Sequence, residues 1–244
     1  MTVIDVAEGR RRFDDSAPEA VRCLGATRRF AGRGGPSVTA VDRLDLNVDA
    51  GEFVAVVGPS GSGKTTLLGL LAGIDQADEG SVIVLGHDLA RLSPTERARL
   101  RRLRMGIVFQ TFGLVASLTA GENVALPLSL AGVGDDERRE LATAALAEVG
   151  LSDSYDARVD ELSGGERQRV GVARAIVGNP SLVLADEPAG SLDDDNATRV
   201  LDLLEAACRS RGAALVLVTH DEASAARADR IVLMRDGRTV RAAG

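Results

Sequence analysis

The stretch "FVAVVGPSGSGKTTLLGLLAG", Phe53 to Gly73, decides how the rest of this 244-residue chain is read. It opens on apolar, β-rich residues, the pattern of a buried strand, and closes on leucines at helical spacing. Between them, Gly58, Pro59, Ser60, Gly61, Ser62, Gly63, Lys64 and Thr65 match G-x-x-x-x-G-K-[ST], with Thr66 following. Glycines let the backbone curl round a phosphate so that several N–H groups point inward, and the next helix adds its positive end. Of the chain's 29 basic residues only Lys64 is a lysine; all the others are arginine. A lysine places a compact charge between the outer phosphates, where the broad planar fork of an arginine is too large. Thr65 can offer its hydroxyl to Mg2+. The loop therefore predicts nucleotide binding, and taken alone it fits kinases, GTPases and motors equally.

Bulk composition narrows the surroundings. Apolar residues make up 45% of the chain and aromatics only 2%, with no tryptophan. A core of Val, Leu, Ile and Ala suits an α/β domain and argues against binding RNA or single strands by stacking. The net charge of −7 does not suggest a surface for nucleic acid. Cys23 and Cys208 lack metal-ligand spacing, which points to a reducing compartment. The longest uncharged run, Met105 to Gly121, is interrupted by Gln110, Thr111, Gly113, Ser117 and Thr119 and is too polar to cross a bilayer. Arg10 to Phe13, "RRRF", superficially looks like a twin-arginine signal, but "DDSAPEA" follows instead of an apolar segment. Residues 1–19 read as a flexible, charged lead-in to a soluble, cytoplasmic domain over 20–244.

Short apolar runs alternate with helical patterns along that domain. "FVAVV", "SVIVL" (Ser81–Leu85), "LVLAD" (Leu182–Asp186) and "ALVLVT" (Ala214–Thr219) read as buried strands in the rhythm of a doubly wound sheet. Ser93, Pro94 and Glu96 form a capping box ahead of a helix, and Val200, Leu201, Leu204 and Cys208 share one face of another that stops at Gly212. "RIVLMRDGRTV" reads as a hairpin turning at Asp236-Gly237. Residues 20–50 look like antiparallel strands. From Thr111 to about Ala175 no buried strand is evident, while "DDERRELATAALAEVG" is helical and ends at Gly150. The expected division is a sheet core over about 20–110 and 176–244, with a helical lobe over about 111–175 inserted into it.

Two further motifs carry chemistry. "SLVLADE" ends a buried strand on Asp186 and Glu187. Asp186 suits a Mg2+-bound water and Glu187 suits the polarisation of an attacking water, although a solvated acidic strand end would look the same in isolation. In "ELSGGERQRVGVARAI", Ser163, Gly164 and Gly165 open a helix and offer a second anion-binding start, this one without a lysine.

With these residues in view, the chain resembles the ATPases of ABC transporters over about residues 20–240. "GPSGSGKTT", Gln110 closing "MGIVFQ", "LSGGE" ending at Glu166, "LVLADE", "GSLDD" and His220 in "VTHD" occur in that family's order. The resemblance implies a P-loop NTPase fold of α/β class, with an N-terminal antiparallel β subdomain and an inserted helical subdomain. It implies two copies packed head to tail, with ATP and Mg2+ between the glycine loop of one and Ser163–Glu166 of the other. On this reading Gln110 contacts Mg2+ and the lytic water, His220 contacts the γ-phosphate, and Asp193 communicates across the dimer. Phe30 in "TRRFAG" matches the aromatic that stacks on adenine; a core phenylalanine is the alternative for that position.

"GIVFQTFGLVASLTAGENVALPLSLAGV" is most similar to the macrolide-exporter and lipoprotein-release branch of the family. "DEPAGSLDD" departs from that branch's Thr-Gly-Asn pattern at Ala189 and Ser191 while sparing the charged residues. The resemblance implies a separate integral membrane permease, docked through the lobe near Gln110–Pro127, and a cassette peripheral to the inner face of the membrane. A nontransport ABC ATPase, or a regulatory ATPase of a cell-envelope complex, is the second reading; the short interval between Lys64 and Ser163 leaves no room for the long insertions of DNA-repair and chromosome types. A small-molecule kinase is the third, and it leaves "LSGGE" unexplained.

Overall fold

The computed structural model describes residues 19–31 and 37–240. The expected lead-in lies outside the described residues apart from Glu19. The chain divides into two compact units: the first takes in the described residues up to Arg101 together with those from Ala214 onward, and the second is Arg102–Ala213.

The first of these units begins with β1 (Glu19–Phe30) and β2 (Val38–Asp49), which pair antiparallel, as expected of residues 20–50. The β1–β2 register shifts between Cys23 and Ala26, where the extra residue is on β1, and again from Ala26 to Arg29, where the extra residues are on β2. β3 (Phe53–Val57) follows, four of its five residues buried, and leads through the glycine loop into α1 (Lys64–Leu71). β4 (Glu79–Val84) and the two-residue β5 (His87–Asp88) come next. α2 (Pro94–Arg104) starts on the expected capping box: Ser93 N–H donates to Glu96 Oε2 at 2.8 Å, and Glu96 N–H donates to Ser93 Oγ at 3.3 Å.

One strand expectation is corrected. "SVIVL" does not join a parallel sheet; β4 pairs antiparallel with β1, Val21 opposite Val84 and Cys23 opposite Val82. Only alternate residues of β4 are buried, Val82 and Val84 but not Ser81 or Ile83. A strand covered on one face belongs in an antiparallel sheet, whereas β3 is covered on both.

The chain crosses into the second unit within α2. There β6 (Met105–Val108) is followed by α3 (Ala120–Ala131), α4 (Asp135–Glu148), α5 (Gly164–Ile176), β7 (Leu182–Asp186) and α6 (Asp194–Arg211). β6 and β7 run parallel, Met105 opposite Leu182 and Val108 opposite Ala185. α6 buries Val200, Leu201, Leu204, Ala207 and Cys208 on one face and ends at Gly212, whose φ of 62° is the left-handed turn its position predicts. The strands β6 and β7 and helix α6 thus belong to the same compact unit as the helical segment.

Asn123 holds this unit's first loop. Its side chain is fully buried; Oδ1 accepts from Val115 N–H at 2.8 Å, and Nδ2 donates to Val115 O at 3.1 Å and Thr119 O at 2.9 Å. Asn123→Leu removes both partners of Val115 and is expected to lower unfolding stability by about 2 kcal/mol or more, because buried amide groups are left unpaired. Denaturant titration reads this directly; a change within error would show that the loop re-satisfies itself.

Back in the first unit, β8 (Ala214–Thr219) is buried at every residue and lies parallel to β3. After the short α7 (Glu222–Ala225), β9 (Arg230–Arg235) adds to the other side of β3, and β10 (Arg238–Val240) pairs back on β9. The turn between them has φ of 49° at Asp236 and 77° at Gly237, the two left-handed residues of the expected tight hairpin. Both cysteines are buried and free. Burial, with the charge of Asp45 adding, pushes the Cys23 thiol up to about 12; burial does the same for Cys208, again to about 12, against the opposing charge of Arg211. No helix among the described residues is long and apolar enough to cross a membrane.

Candidate functional site

The glycine loop leaves the end of β3 and is braced from behind by three segments of its own unit. A Cβ on Gly63 would overlap the carbonyl oxygen of Ala40 in β2, and its φ of 100° is open only to glycine. Gly237 N–H, from the β9–β10 turn, donates to Ser62 O at 3.0 Å. The Met234 methyl lies 3.0 Å from the same Gly63 position. Inside the loop Lys64 is buried, and its Nζ donates to Gly58 O at 2.7 Å and Pro59 O at 3.0 Å. The Ser62 hydroxyl is also buried, lies against Gly58 and has no hydrogen-bond partner. Thr65 is exposed and Thr66 half-buried on the first turn of α1.

Two other expected residues belong to this unit. Val57 and Thr219 are register partners, so Gly58 and His220 leave adjacent strand ends. His220 is exposed, and the turn after it is shaped by Asp221, whose Oδ2 accepts from Ser224 N–H at 2.7 Å. The Ser224 hydroxyl, followed by the Ser224 N–H, holds the Asp221 carboxyl below the usual carboxylate range. Phe30 ends β1 opposite Val38, and Val38 lies two residues before the Ala40 that meets Gly63. Phe30 is 38% exposed, so it is not a core phenylalanine.

In the other unit, β6 and β7 deliver Gln110 and the carboxylates Asp186 and Glu187 from neighbouring strand ends. Gln110 Nε2 donates to Glu187 Oε2 at 3.4 Å. Glu187 has a φ of 42°, a costly conformation for a residue with a side chain, and Gly190 N–H donates back to its carbonyl at 3.1 Å. Asp186 is half-buried at the strand end.

The same unit holds the lysine-free helix start. Ser163 caps α5: its Oγ accepts from Glu166 N–H at 3.3 Å, and Glu166 Oε2 accepts from Ser163 Oγ–H at 2.7 Å and from Ser163 N–H at 2.9 Å. These bonds, the hydroxyl's first, hold the Glu166 carboxyl below its ordinary range. Gly164 is exposed and Gly165 buried; Asn196 Oδ1 lies 2.7 Å from where a Cβ on Gly165 would stand. Asn196 in turn donates N–H and Nδ2–H to Asp193, at 2.9 and 2.8 Å, so Asp193 caps α6 and sits beside the α5 start through one asparagine.

A sequence model of the ABC transporter family matches residues 41–190, more than half of the chain. The chain belongs to the ABC transporter family. It is 43% identical over 216 residues to the macrolide export ATP-binding/permease protein MacB of Hyphomonas neptunium and 44% identical over 213 residues to the pyoverdine export ATP-binding/permease protein PvdT of Pseudomonas aeruginosa. It spans 33% and 32% of the length of those two relatives. It is 45% identical over 219 residues, 89% of this chain, to the lipoprotein-releasing system ATP-binding protein LolD of Chromohalobacter salexigens, and covers 92% of that protein. The dimeric, post-hydrolysis structure of the ATP-binding cassette MJ0796 bound to ADP and Pi superposes with a TM-score of 0.84 at 36% identity, covering 91% of this chain and 97% of that one. The fold expected from the motifs, and the macrolide-export and lipoprotein-release branch, are both borne out.

Three residues of this ABC cassette were not singled out by the sequence. Gln168, buried on α5, donates to Phe109 O at 3.3 Å. Arg174, one and a half turns on, donates to Gly113 O at 2.6 Å and Phe112 O at 3.0 Å. With Asn123 they clamp the loop that carries Gln110, and the left-handed Phe112 (φ 60°) and Gly113 (φ 59°) are the backbone they hold. Burial lowers the pKa of Arg174 from its ordinary value, because it takes the charged guanidinium out of water. The signal available beforehand was polar side chains on the inward face of an otherwise apolar helix stripe.

Proposed function

We propose that this cassette binds and hydrolyses ATP as one of two head-to-tail copies and drives a separate integral membrane permease from the cytoplasmic face of the membrane. The observation that carries the reading is a pair of helix starts of different kinds. One, at Lys64, brings its own cation; the other, at Ser163–Gly165, brings only N–H groups and a hydroxyl. A lysine-free start gains most by closing over a phosphate that another cradle already holds, which the dimeric cassette relatives support.

The residues fit a nucleotide triphosphate. The loop's spare donors are the unpartnered Ser62 hydroxyl and the Lys64 ammonium, which has three N–H bonds and spends two on carbonyls. Bound ATP supplies a terminal phosphoryl group that can be transferred to water. Lys64 and the loop N–H groups bind and orient the phosphates, and His220 reaches the outermost one. Phe30 supports the base. Glu187 accepts a proton from the attacking water, and Gln110 holds the carboxylate and the water in register. Thr65, Gln110 and Asp186 provide oxygen donors of the kind Mg2+ takes, and that ion would neutralise phosphate charge. Asp193 and Glu166 keep the helix starts at the dimer face in shape.

We also read residues 111–175 as an inserted helical subdomain that meets the permease near Gln110–Pro127. Detergent co-purification from native membranes tests the whole reading. The tagged cassette is expected to bring down a multi-span membrane protein in fixed ratio, and to change its ATPase rate when that protein is reconstituted with it. Recovery of active cassette without any membrane partner would overturn the permease role while leaving ATP hydrolysis standing.

A further inference from the structure

Phe30 carries a cation of its own chain on one side. The guanidinium carbon of Arg28 lies 4.7 Å from the ring centroid. The two residues are two apart on β1 and so project to the same face of the strand. Arg28 is not loosely laid there. Its Nη1 is 3.2 Å from Asp78 Oδ1 and its Nη2 is 3.5 Å from Asp75 Oδ1, and its side chain is only 23% exposed. Its Nε is buried without a hydrogen-bond partner.

The acidic pair is itself anchored. Asp78 N–H donates to Thr27 O at 2.7 Å, and Asp78 Oδ2 accepts from Arg29 N–H at 2.6 Å. That backbone N–H, with the charges of Arg28 and Arg29 adding, keeps the Asp78 carboxyl below its ordinary range and therefore ionised. Asp75 N–H donates to Gly69 O at 3.0 Å, and Asp75 Oδ2 stands 2.6 Å from where a Cβ on Gly69 would be. Gly69 is in α1, the helix that begins at Lys64. An unbroken chain of contacts therefore runs from the phosphate-loop helix through Asp75 and Arg28 to the Phe30 ring.

We propose that Arg28 is a positioning residue for the nucleotide base: it fills one face of Phe30, leaves the other for adenine, and fixes the ring relative to the helix that begins at Lys64. The proposal rests on reading Phe30 as the base platform. A guanidinium is planar and weakly hydrated, so it covers an aromatic face while keeping two carboxylates; a lysine cannot do both. A cation on one face also draws ring electron density toward itself, which favours an electron-rich purine on the other. Arg28 touches no phosphate on this scheme, so its contribution is to base affinity alone.

Calorimetry with ATP and with inorganic tripolyphosphate separates the possibilities. Arg28→Ala is expected to weaken ATP binding roughly 3- to 10-fold, raising KM with kcat unchanged, and to leave tripolyphosphate affinity unaltered. Arg28→Lys is expected to recover only part of the loss. In the Phe30→Ala background Arg28→Ala is expected to add nothing. Equal weakening of ATP and tripolyphosphate, or an ATP affinity untouched by Arg28→Ala while Phe30→Ala lowers it, would overturn the role of Arg28. If Phe30→Ala itself leaves ATP binding unchanged, the platform reading fails, and the Arg28 proposal falls with it by a distinct result. Should Arg28→Ala not fold, Arg28→Gln carries the same comparison. Phe30→Trp gives a second readout, since the chain has no tryptophan: ATP is expected to quench its emission at lower concentration with Arg28 present than with Arg28→Gln.

Discussion

Glu187→Gln is expected to bind ATP with near wild-type affinity while releasing phosphate at least about a hundredfold more slowly, the usual contribution of a positioned general base. The substitution is nearly isosteric. Gln110 Nε2 donates to Glu187 Oε2, and the amide oxygen of a glutamine accepts the same bond, so the loop after β6 keeps its contact. The φ of 42° at residue 187 is a demand on the backbone that Gln and Glu share, and Gly190 N–H still closes the turn onto the residue-187 carbonyl. What is lost is a basic lone pair able to take a proton from water at neutral pH. Lys64, Thr65 and the loop N–H groups are untouched, so binding survives and the ATP-bound dimer accumulates. Size exclusion with ATP is expected to show a long-lived dimer where the wild type shows a transient one. Unchanged turnover in a phosphate-release assay would exclude Glu187 as the base and move attention to His220.

The backbone strain at Glu187 is also where sequence reasoning stops. "LVLADE" announces a buried strand ending on two carboxylates, because the four apolar residues Leu182 to Ala185 in a row suit a strand covered on both faces. It says nothing of the left-handed turn that separates the directions of Asp186 and Glu187. The same boundary appears in the strands. β3 and β8 were legible because both faces are covered; β4 is just as apolar over "SVIVL", yet it pairs with β1, and pairing partners are non-local. Its half-buried alternation was the one local hint. β6 is only four residues long, and nothing in "MGIV" distinguishes it from the start of the polar loop that follows. Helix ends fared best. Ser93, Ser163 and Gly212 act through bonds within a few residues, so their chemistry is written locally. The supporting contacts followed the same rule: the bonds of Gln168 and Arg174 to the loop after β6, and the pairing of Arg28 with Asp75 and Asp78, join residues far apart in the chain and were not legible.

Complementation between two inactive chains tests whether the site is shared between copies. Lys64→Ala removes the one cation inside the glycine loop and is expected to weaken ATP binding by roughly 10- to 100-fold, the worth of charge-assisted hydrogen bonds to phosphate. Gly164→Glu is the better partner variant than Gly165→Glu. A Cβ on Gly165 would meet Asn196 at 2.7 Å and disturb the Asp193 cap, whereas at Gly164 the nearest atom is 3.9 Å away, on Leu192. A carboxylate at Gly164 therefore opposes an anion at the α5 start without a packing penalty. Each variant alone is expected to be nearly inactive, since both sites of its homodimer carry the defect. In a mixed dimer one site combines both defects and the other combines neither. Equal mixing makes about half the dimers mixed, so recovery of up to about a quarter of wild-type turnover is expected if the two sites fire independently. No recovery, with mixed dimers demonstrated by differential tagging, would mean either that both sites must be intact together or that Ser163–Gly165 do not complete the partner's site. Binding separates those two. Restored tight ATP binding at one site per mixed dimer supports a shared site with obligatory coupling, whereas ATP affinity that tracks the Lys64 chain alone removes the α5 start from the nucleotide altogether.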